Sequence, residues 1–496
     1  MRAILAIDQS TSATKAVLLD PSGRVLDSAS REHRQYYPQP GWVEHNAEEI
    51  WRNLLAVCRL VLGRQPGNEC ELTHISIANQ RETIVVFERR TGRPLHPAVV
   101  WQCRRGVELC ARQAELGRAE EIREKTGLLV DTYFSASKLQ WLIREHPDLA
   151  VQLRVGDALV GTIDTYLIYR LTDGAVFATD HTNASRTLLY DIRKLRWDEE
   201  LCDWWQVPRG CLAQVRSSDA TFGETTLGGC LRQPVPIRGV MGDSQAALFA
   251  HRCFESGTAK VTFGTGSSVL LNVGANLPTG VKGSVASLAW VLDGEPIYAL
   301  EGIITCSAGT LNWLRDQLGV IDEVAECESL ARSVSGDEGV YVVPAFAGLA
   351  APYWQAEARA AIVGLTAHSD RRHVVRAGLE SMAYQVRDVL EMMREESGVE
   401  LREIHADGGP AANKFLMQFV ADILGVSLRV AARPDQSAMG AALMGARNSR
   451  TIPEDSSTMP DELVYTRAME PKLADKQYAG WRRAVGQVLA AAGRTS

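Results

Sequence analysis

Two short turns carry the residue types that hold phosphate. Asp8-Gln9-Ser10-Thr11-Ser12-Ala13-Thr14-Lys15 follows an apolar run at residues 3–7, and Gly264-Thr265-Gly266-Ser267-Ser268 follows another at residues 261–263. A tight turn between strands aims backbone N–H groups and hydroxyls at anionic oxygens. The first turn adds the carboxylate Asp8 for a hydrated Mg2+ and the cation Lys15 for phosphate charge; the second adds flexible glycine backbone. Taken singly, either is more often a plain strand connection, and their pairing is what points to a nucleotide. A third turn, Asp407-Gly408-Gly409-Pro410-Ala411-Ala412-Asn413, allows close backbone approach, and Asn413 either caps the next helix or contacts a nucleotide. Neither a G-x-x-x-x-G-K-[ST] nor a G-x-G-x-x-G string is present, so Walker-type and dinucleotide readings fall.

Acceptor chemistry needs a base. Asp243, in Gly242-Asp243-Ser244-Gln245, follows an apolar, proline-punctuated run and can deprotonate a hydroxyl nucleophile; it can equally cap a helix over residues 244–249. Arg81 and Glu82 end one strand and offer complementary donors and acceptors to neighbouring hydroxyls, while Trp101 and Tyr133 offer aromatic faces to a carbon chain. Each is unremarkable alone. A rival chemistry makes Ser244 a nucleophile with a base from Asp370-Arg371-Arg372-His373, an esterase. The latter segment reads better as the first turn of a long helix capped by Ser369.

The elements that must position these residues follow from periodicity. Residues 3–7, 16–19 and 25–26 read as an antiparallel meander, Asn46 with Glu49 as the cap of an amphipathic helix, and residues 75–78 as a strand leading into Asn79-Gln80-Arg81-Glu82. Strand, Thr/Ser-rich turn and strand recur at residues 261–273, a weak internal repeat that predicts two related α/β domains of mixed sheets, residues 1–248 and 249–496, with the change near residues 246–254. Helices are expected over residues 308–318, 369–396 and 414–424, the last two stopped by Gly398 and Gly425. Residues 450–496 carry no readable motif.

Composition sets the class. The 496 residues are 46% hydrophobic and 23% charged, as in globular proteins, and the net charge of −7 argues against a nucleic-acid-binding surface. A small molecule is the expected partner. No apolar run approaches the ~20 residues of a membrane span, and the opening MRAILAIDQS meets an acid before a signal-peptide core can form, so the expected compartment is the cytoplasm. The ten cysteines are scattered without C-x-x-C pairs and read as reduced thiols.

Read together, these segments resemble the FGGY carbohydrate kinases, most closely the glycerol kinases among them. The resemblance runs to about Gly445, through Asp8-Gln9-Ser10-Thr11, Pro40-Gly41-Trp42-Val43-Glu44-His45, Asn79-Gln80-Arg81-Glu82-Thr83, Val100-Trp101-Gln102-Cys103-Arg104-Arg105, Thr182-Asn183-Ala184-Ser185-Arg186-Thr187, Gly242-Asp243, Gly264-Thr265-Gly266, Pro344-Ala345-Phe346, Ala351-Pro352-Tyr353-Trp354 and Asp407-Gly408-Gly409. It implies two actin-like (ribonuclease-H-like) domains with ATP and an acceptor alcohol meeting in an interdomain cleft. It also implies Asp243 as base and Asp8 as the Mg2+-side carboxylate. Thr11, Ser12, Lys15, Thr265, Gly309, Gly409 and Asn413 match phosphate and adenosine contacts; Arg81, Glu82, Trp101 and Tyr133 match glycerol contacts. The implied reaction is phosphorylation of a terminal hydroxyl of a small polyol, glycerol first, by a homo-oligomer. Ser244 and Ser268 stand where glycerol kinases usually have Gln and Phe, and Lys15 where they often have Arg. The lost volume at the two serines leaves a four- or five-carbon polyol or ketose (erythritol, threitol, xylulose or ribulose) as the alternative acceptor. In Gly228-Gly229-Cys230-Leu231-Arg232-Gln233-Pro234 a proline stands where an Arg of the fructose 1,6-bisphosphate loop falls, so that regulation is not expected. A non-catalytic ATP clamp of the actin or chaperone type would share the fold.

Overall fold

Ala-Ile-Leu-Ala-Ile at residues 3–7 has no polar side to turn to water, and it forms the strand Arg2–Gln9 inside a six-stranded sheet. Its side chains alternate between two cores. Ala3, Leu5 and Ile7 pack on one face with Ile50, Leu54 and Val57 of the helix Ala47–Gly63. Ile4 and Ala6 pack on the other with Ala438, Ala442 and Ala446 of the helix Gln436–Arg447. The computed structural model describes residues 2–20, 22–65, 71–335, 338–431, 433, 435–447 and 462–493.

The chain forms two compact units. The first comprises Met1–Arg252, Ala286–Tyr298 and Asp435–Thr458; the second comprises Cys253–Val285, Ala299–Pro434 and Met459–Ser496. In the first, the sheet order is Thr221–Thr225, Val235–Gly242, Glu71–Asn79, Arg2–Gln9, Ala13–Leu19, Val25–Glu32. Val235–Gly242, Glu71–Asn79 and Arg2–Gln9 run parallel, and Ala13–Leu19 turns back antiparallel. In the second, Ser427–Val430, Glu403–Asp407 and Thr258–Phe263 run parallel in the same order, and Ser267–Gly274 turns back antiparallel. The repeat in the sequence is therefore a repeat of topology, two mixed-sheet α/β units of the actin-like type, each with its Ser/Thr-bearing turn between the central antiparallel pair.

Helix ends follow local chemistry. Asn46 Oδ1 accepts from the N–H groups of Glu48 and Glu49 and starts Ala47–Gly63. Gly398 and Gly425 stop their helices at φ 67° and 72°. One cap differs from expectation. Ser369 Oγ accepts from Thr366 N–H in the preceding turn, and it is Asp370 whose carboxylate accepts from Arg372 N–H to start Arg371–Ser397. Two helices carried no sequence signal strong enough to read: Gln436–Arg447, rich in Ala and Gly, and Pro471–Ala492. Glycine lets the first of these lie close: a Cβ on Gly440 would stand 1.7 Å from the Ala246 carbonyl oxygen. All nine described cysteines are free thiols, mostly buried; Cys70 lies outside the described residues. Among the described residues no helix is long and apolar enough to cross a membrane.

Candidate active site

Three parallel strands of the first unit end side by side, with Asp8 opposite Ala78 and Gly242 opposite Asn79. Ligands gather at the carboxyl ends of such strands because helix N-termini and loops converge there. Glu71–Asn79 runs on into Arg81 and Glu82, and Val235–Gly242 into Asp243, the first residue of the helix Asp243–Ala250. Gly242 is required by its neighbour: a Cβ there would meet Arg81 Cγ at 2.7 Å.

Arg81 crosses that gap and serves two acids. Its Nε lies 3.4 Å from Asp243 Oδ1 and 3.8 Å from Glu82 Oε1, and an NH1 proton goes to Gln245 Oε1 at 3.3 Å. Glu82 is also held from behind by Arg186, whose Nε donates to Oε1 at 2.6 Å. Arg81, Glu82 and Arg186 are all buried, whereas the Asp243 side chain is 34% exposed. The outcome is one accessible carboxylate beside a guanidinium whose direction is fixed by buried groups. Asp243 does not cap from outside the helix; its Oδ1 accepts from Ser244 N–H at 2.6 Å, which holds one oxygen. Ser244, half-buried, follows it.

An aromatic corner adjoins. The Trp101 and Tyr133 rings sit 5.1 Å apart at 55°, and Trp101 Nε1 donates to Thr11 Oγ1 at 3.0 Å, tying the corner to the first phosphate-type turn. In that turn Ser12 is exposed and Thr11 half-buried. Lys15 does not stand free: its Nζ is 2.5 Å from Asp435 Oδ1. Asp8 Oδ1 is shut from solvent and has no hydrogen-bond partner among the described residues. Loss of solvation, reinforced by the charges of Asp243 and Asp435 and opposed by Lys15, pushes the Asp8 carboxyl up to about 7. The orphaned oxygen makes Asp8 the carboxylate here that suits a hard divalent ion, with Asp243 and Asp435 near enough for their charges to be felt rather than gathered into a cage with it.

In the second unit Thr265 is exposed on its turn. The Thr265 carbonyl accepts from Ser307 N–H at 2.7 Å and from Gly309 N–H at 3.0 Å, so the Gly309 amide is already used to anchor the turn on the helix Gly309–Asp316. Gly408 has φ 93°, and a Cβ on it would lie 1.9 Å from the Phe263 carbonyl oxygen; Gly409 faces open space. Asn413 Oδ1 accepts from Leu416 N–H at 3.0 Å, so of its two sequence readings the structure realises the cap. Ser268 Oγ donates to Glu301 at 3.2 Å. The esterase constellation is not supported, because the His373 ring is held by Asp370 at 3.0 Å and Glu338 at 2.7 Å in helix-start contacts.

Asp435, Arg186 and Gln245 were not among the sequence candidates. Asp435 is 420 residues from its partner Lys15, and no local spacing reports such a pair. Arg186 stood in the matched segment 182–187, but its need for an acid follows from the burial of that whole stretch, which only the fold reveals.

Residues 3–250 match the N-terminal domain, and residues 259–449 the C-terminal domain, of the FGGY family of carbohydrate kinases. The chain belongs to that family. Among FGGY relatives, Glycerol kinase 1 of Thermotoga maritima is 44% identical over 490 residues, covering 98% of this chain and 99% of its own. The glycerol kinase of Halorhodospira halophila is 44% identical over 492 residues, covering 98% and 96%. A crystal structure of Plasmodium falciparum glycerol kinase with ADP superposes with a TM-score of 0.94 at 34% identity, covering 99% of this chain and 98% of that one. The FGGY fold extends further: a xylulose kinase from Rhodospirillum rubrum shares it at a TM-score of 0.86 and 21% identity.

Proposed function

We propose that this carbohydrate kinase transfers the terminal phosphoryl group of ATP to a terminal hydroxyl of glycerol, giving glycerol 3-phosphate and ADP in the cytoplasm. The observation that carries the reading is Asp243, an accessible carboxylate 3.4 Å from a buried arginine that also faces Glu82. Arg81 and Glu82 are suited to neighbouring hydroxyls, one as donor and one as acceptor, and the Trp101–Tyr133 corner is suited to the carbon chain. Near-full-length relatives that are themselves glycerol kinases support this acceptor.

Asp243 orients the attacking hydroxyl and takes its proton as the oxygen–phosphorus bond forms and ADP departs. Asp8, with Asp243 and Asp435 near it, would hold Mg2+, which when bound supplies positive charge to the nucleotide phosphates. Within the first unit, Thr11, Ser12 and Lys15 are assigned to nucleotide phosphate. Within the second unit, Thr265, Gly309 and Gly409 are assigned to nucleotide contact, and Asn413 joins them through the amide nitrogen that its cap leaves over. Lys15 carries its charge already shared with Asp435, so its part is to orient more than to neutralise. The Gly309 amide being engaged, that residue serves by fitting closely under the turn, where a Cβ would stand 3.1 Å from the Thr265 carbonyl oxygen.

The test is ADP release across glycerol, erythritol, threitol, dihydroxyacetone, xylulose and ribulose, for the wild type and for Asp243→Asn. Glycerol should be the best acceptor, and the variant should lose about 100-fold or more in turnover while retaining ATP binding. A longer acceptor with markedly higher kcat/KM, or near-normal turnover in the variant, overturns the assignment.

A further inference from the structure

Lys138 is fully buried, and it sits in the first turn of the helix Ser135–Glu145. Both circumstances oppose its charge, since burial strips its hydration and the positive end of the helix dipole lies beside it. Among the described residues no carboxylate takes its protons. The ammonium donates instead to three consecutive backbone carbonyls, those of Thr132, Tyr133 at 3.1 Å and Phe134 at 3.0 Å. These are the residues that carry the Tyr133 ring to Trp101. The same segment touches the acid side of the site, because Ser135 Oγ donates to the Glu82 carbonyl at 2.8 Å and the Arg186 guanidinium lies 5.1 Å from the Phe134 ring centroid. Glu82 itself has φ 62°, a conformation that a side-chain-bearing residue keeps only when its surroundings enforce it.

We propose that Lys138 is a positioning residue for the acceptor: by tying down the carbonyls of residues 132–134 it fixes the Tyr133 ring against Trp101 and the segment that braces Glu82. This rests on the reading of Trp101, Tyr133 and Glu82 as acceptor contacts. A neutral amine has two protons to give where the ammonium has three, so the clamp slackens on deprotonation. Burial brings the Lys138 pKa down to about 8, with the groups facing it, Cys103, Glu82, Cys110 and Asp131, partly opposing that fall. The clamp is therefore complete at neutral pH and incomplete above about pH 8.

The experiment measures KM for glycerol, KM for ATP and kcat from pH 7 to 9.5 in the wild type and in Lys138→Met. The wild type should show a glycerol KM that climbs above about pH 8 with little change in the ATP KM. Lys138→Met should raise the glycerol KM about tenfold at pH 7 and flatten its pH dependence, with kcat and the ATP KM far less affected. A role confined to stability would instead lower active-enzyme yield without a pH-dependent KM. A wild-type glycerol KM that stays flat through pH 9.5 overturns the proposal without any variant, as does a variant whose KM is within twofold of wild type. Absence of glycerol phosphorylation by the wild type is a separate outcome, and it removes the functional reading itself.

Discussion

Arg186 and Glu82 form the most deeply enclosed ion pair of the site, and Arg186→Met is the perturbation that isolates it. The two side chains are 0% and 2% exposed and their charged atoms are 2.6 Å apart. Removing one partner of a pair so enclosed leaves an uncompensated buried charge, a loss of about 3–5 kcal/mol. Arg81, 3.8 Å from the same oxygen, compensates in part and sets the expectation at the lower end, about 3 kcal/mol. For a unit of this size each kcal/mol shifts the melting point by about 2–4 °C, so calorimetry should find a transition lowered by about 6–12 °C. Glu82→Gln/Arg186→Met removes both charges, leaves none stranded, and should melt higher than Arg186→Met alone. Glycerol KM separates stability from function: the double variant should regain heat resistance but not acceptor affinity, since Glu82 is then absent as an acceptor. A single variant that melts within about 2 °C of wild type, or a double variant that loses the sum of the two singles, refutes the reasoning.

Gly409→Ala should leave the melting point unchanged, because among the described residues a Cβ there meets no atom within 4 Å beyond its chain neighbours, yet raise the ATP KM; an unchanged ATP KM removes Gly409 from the nucleotide site. Gly408→Ala differs, since φ 93° and the Phe263 carbonyl at 1.9 Å together should lower stability by about 1–3 kcal/mol, read by urea unfolding. With the Asp8 carboxyl near 7, a proton occupies it below that pH and competes with a cation. Mn2+ should therefore bind about tenfold more weakly at pH 6 than at pH 8, a difference absent in Asp8→Asn and measurable by calorimetry. Equal affinity at both pH values would sink that assignment. Gly440→Ala, which sets a methyl against the Ala246 carbonyl, should lower the melting point of the first unit, and a neutral outcome would show that the helix Gln436–Arg447 can give way.

Much of this was legible locally. The apolar run at residues 3–7, the Asn46 cap and the glycine stops at 398 and 425 are short-range signals, and each produced the element expected. The repeat was visible because both central hairpins are built from the same pattern of strand, small polar turn and strand. What stayed hidden depended on distance along the chain. Nothing near Lys15 announces Asp435, and nothing in the Ala/Gly-rich stretch around Gly440 distinguishes a packed helix from a linker, because the reason for its small residues is the backbone of Ala246. Asn413 was ambiguous for a different reason: capping and ligand contact call for the same side chain at the same place. Ser369 lost its cap to Asp370 by one residue, since two good capping side chains stand in succession and the turn from Thr366 claims the first.

The helix Gln436–Arg447 closes one face of a sheet whose strands lie within the first 242 residues. During synthesis the ribosome emits those strands long before that helix, and at about 5–20 residues per second the delay is roughly 10–40 s. Throughout it, Ile4, Ala6, Val17 and Leu19 lack their native cover. A nascent chain in that condition is a client for chaperones, and a truncated product ending near Arg252 should go to inclusion bodies, although it contains the complete six-stranded sheet.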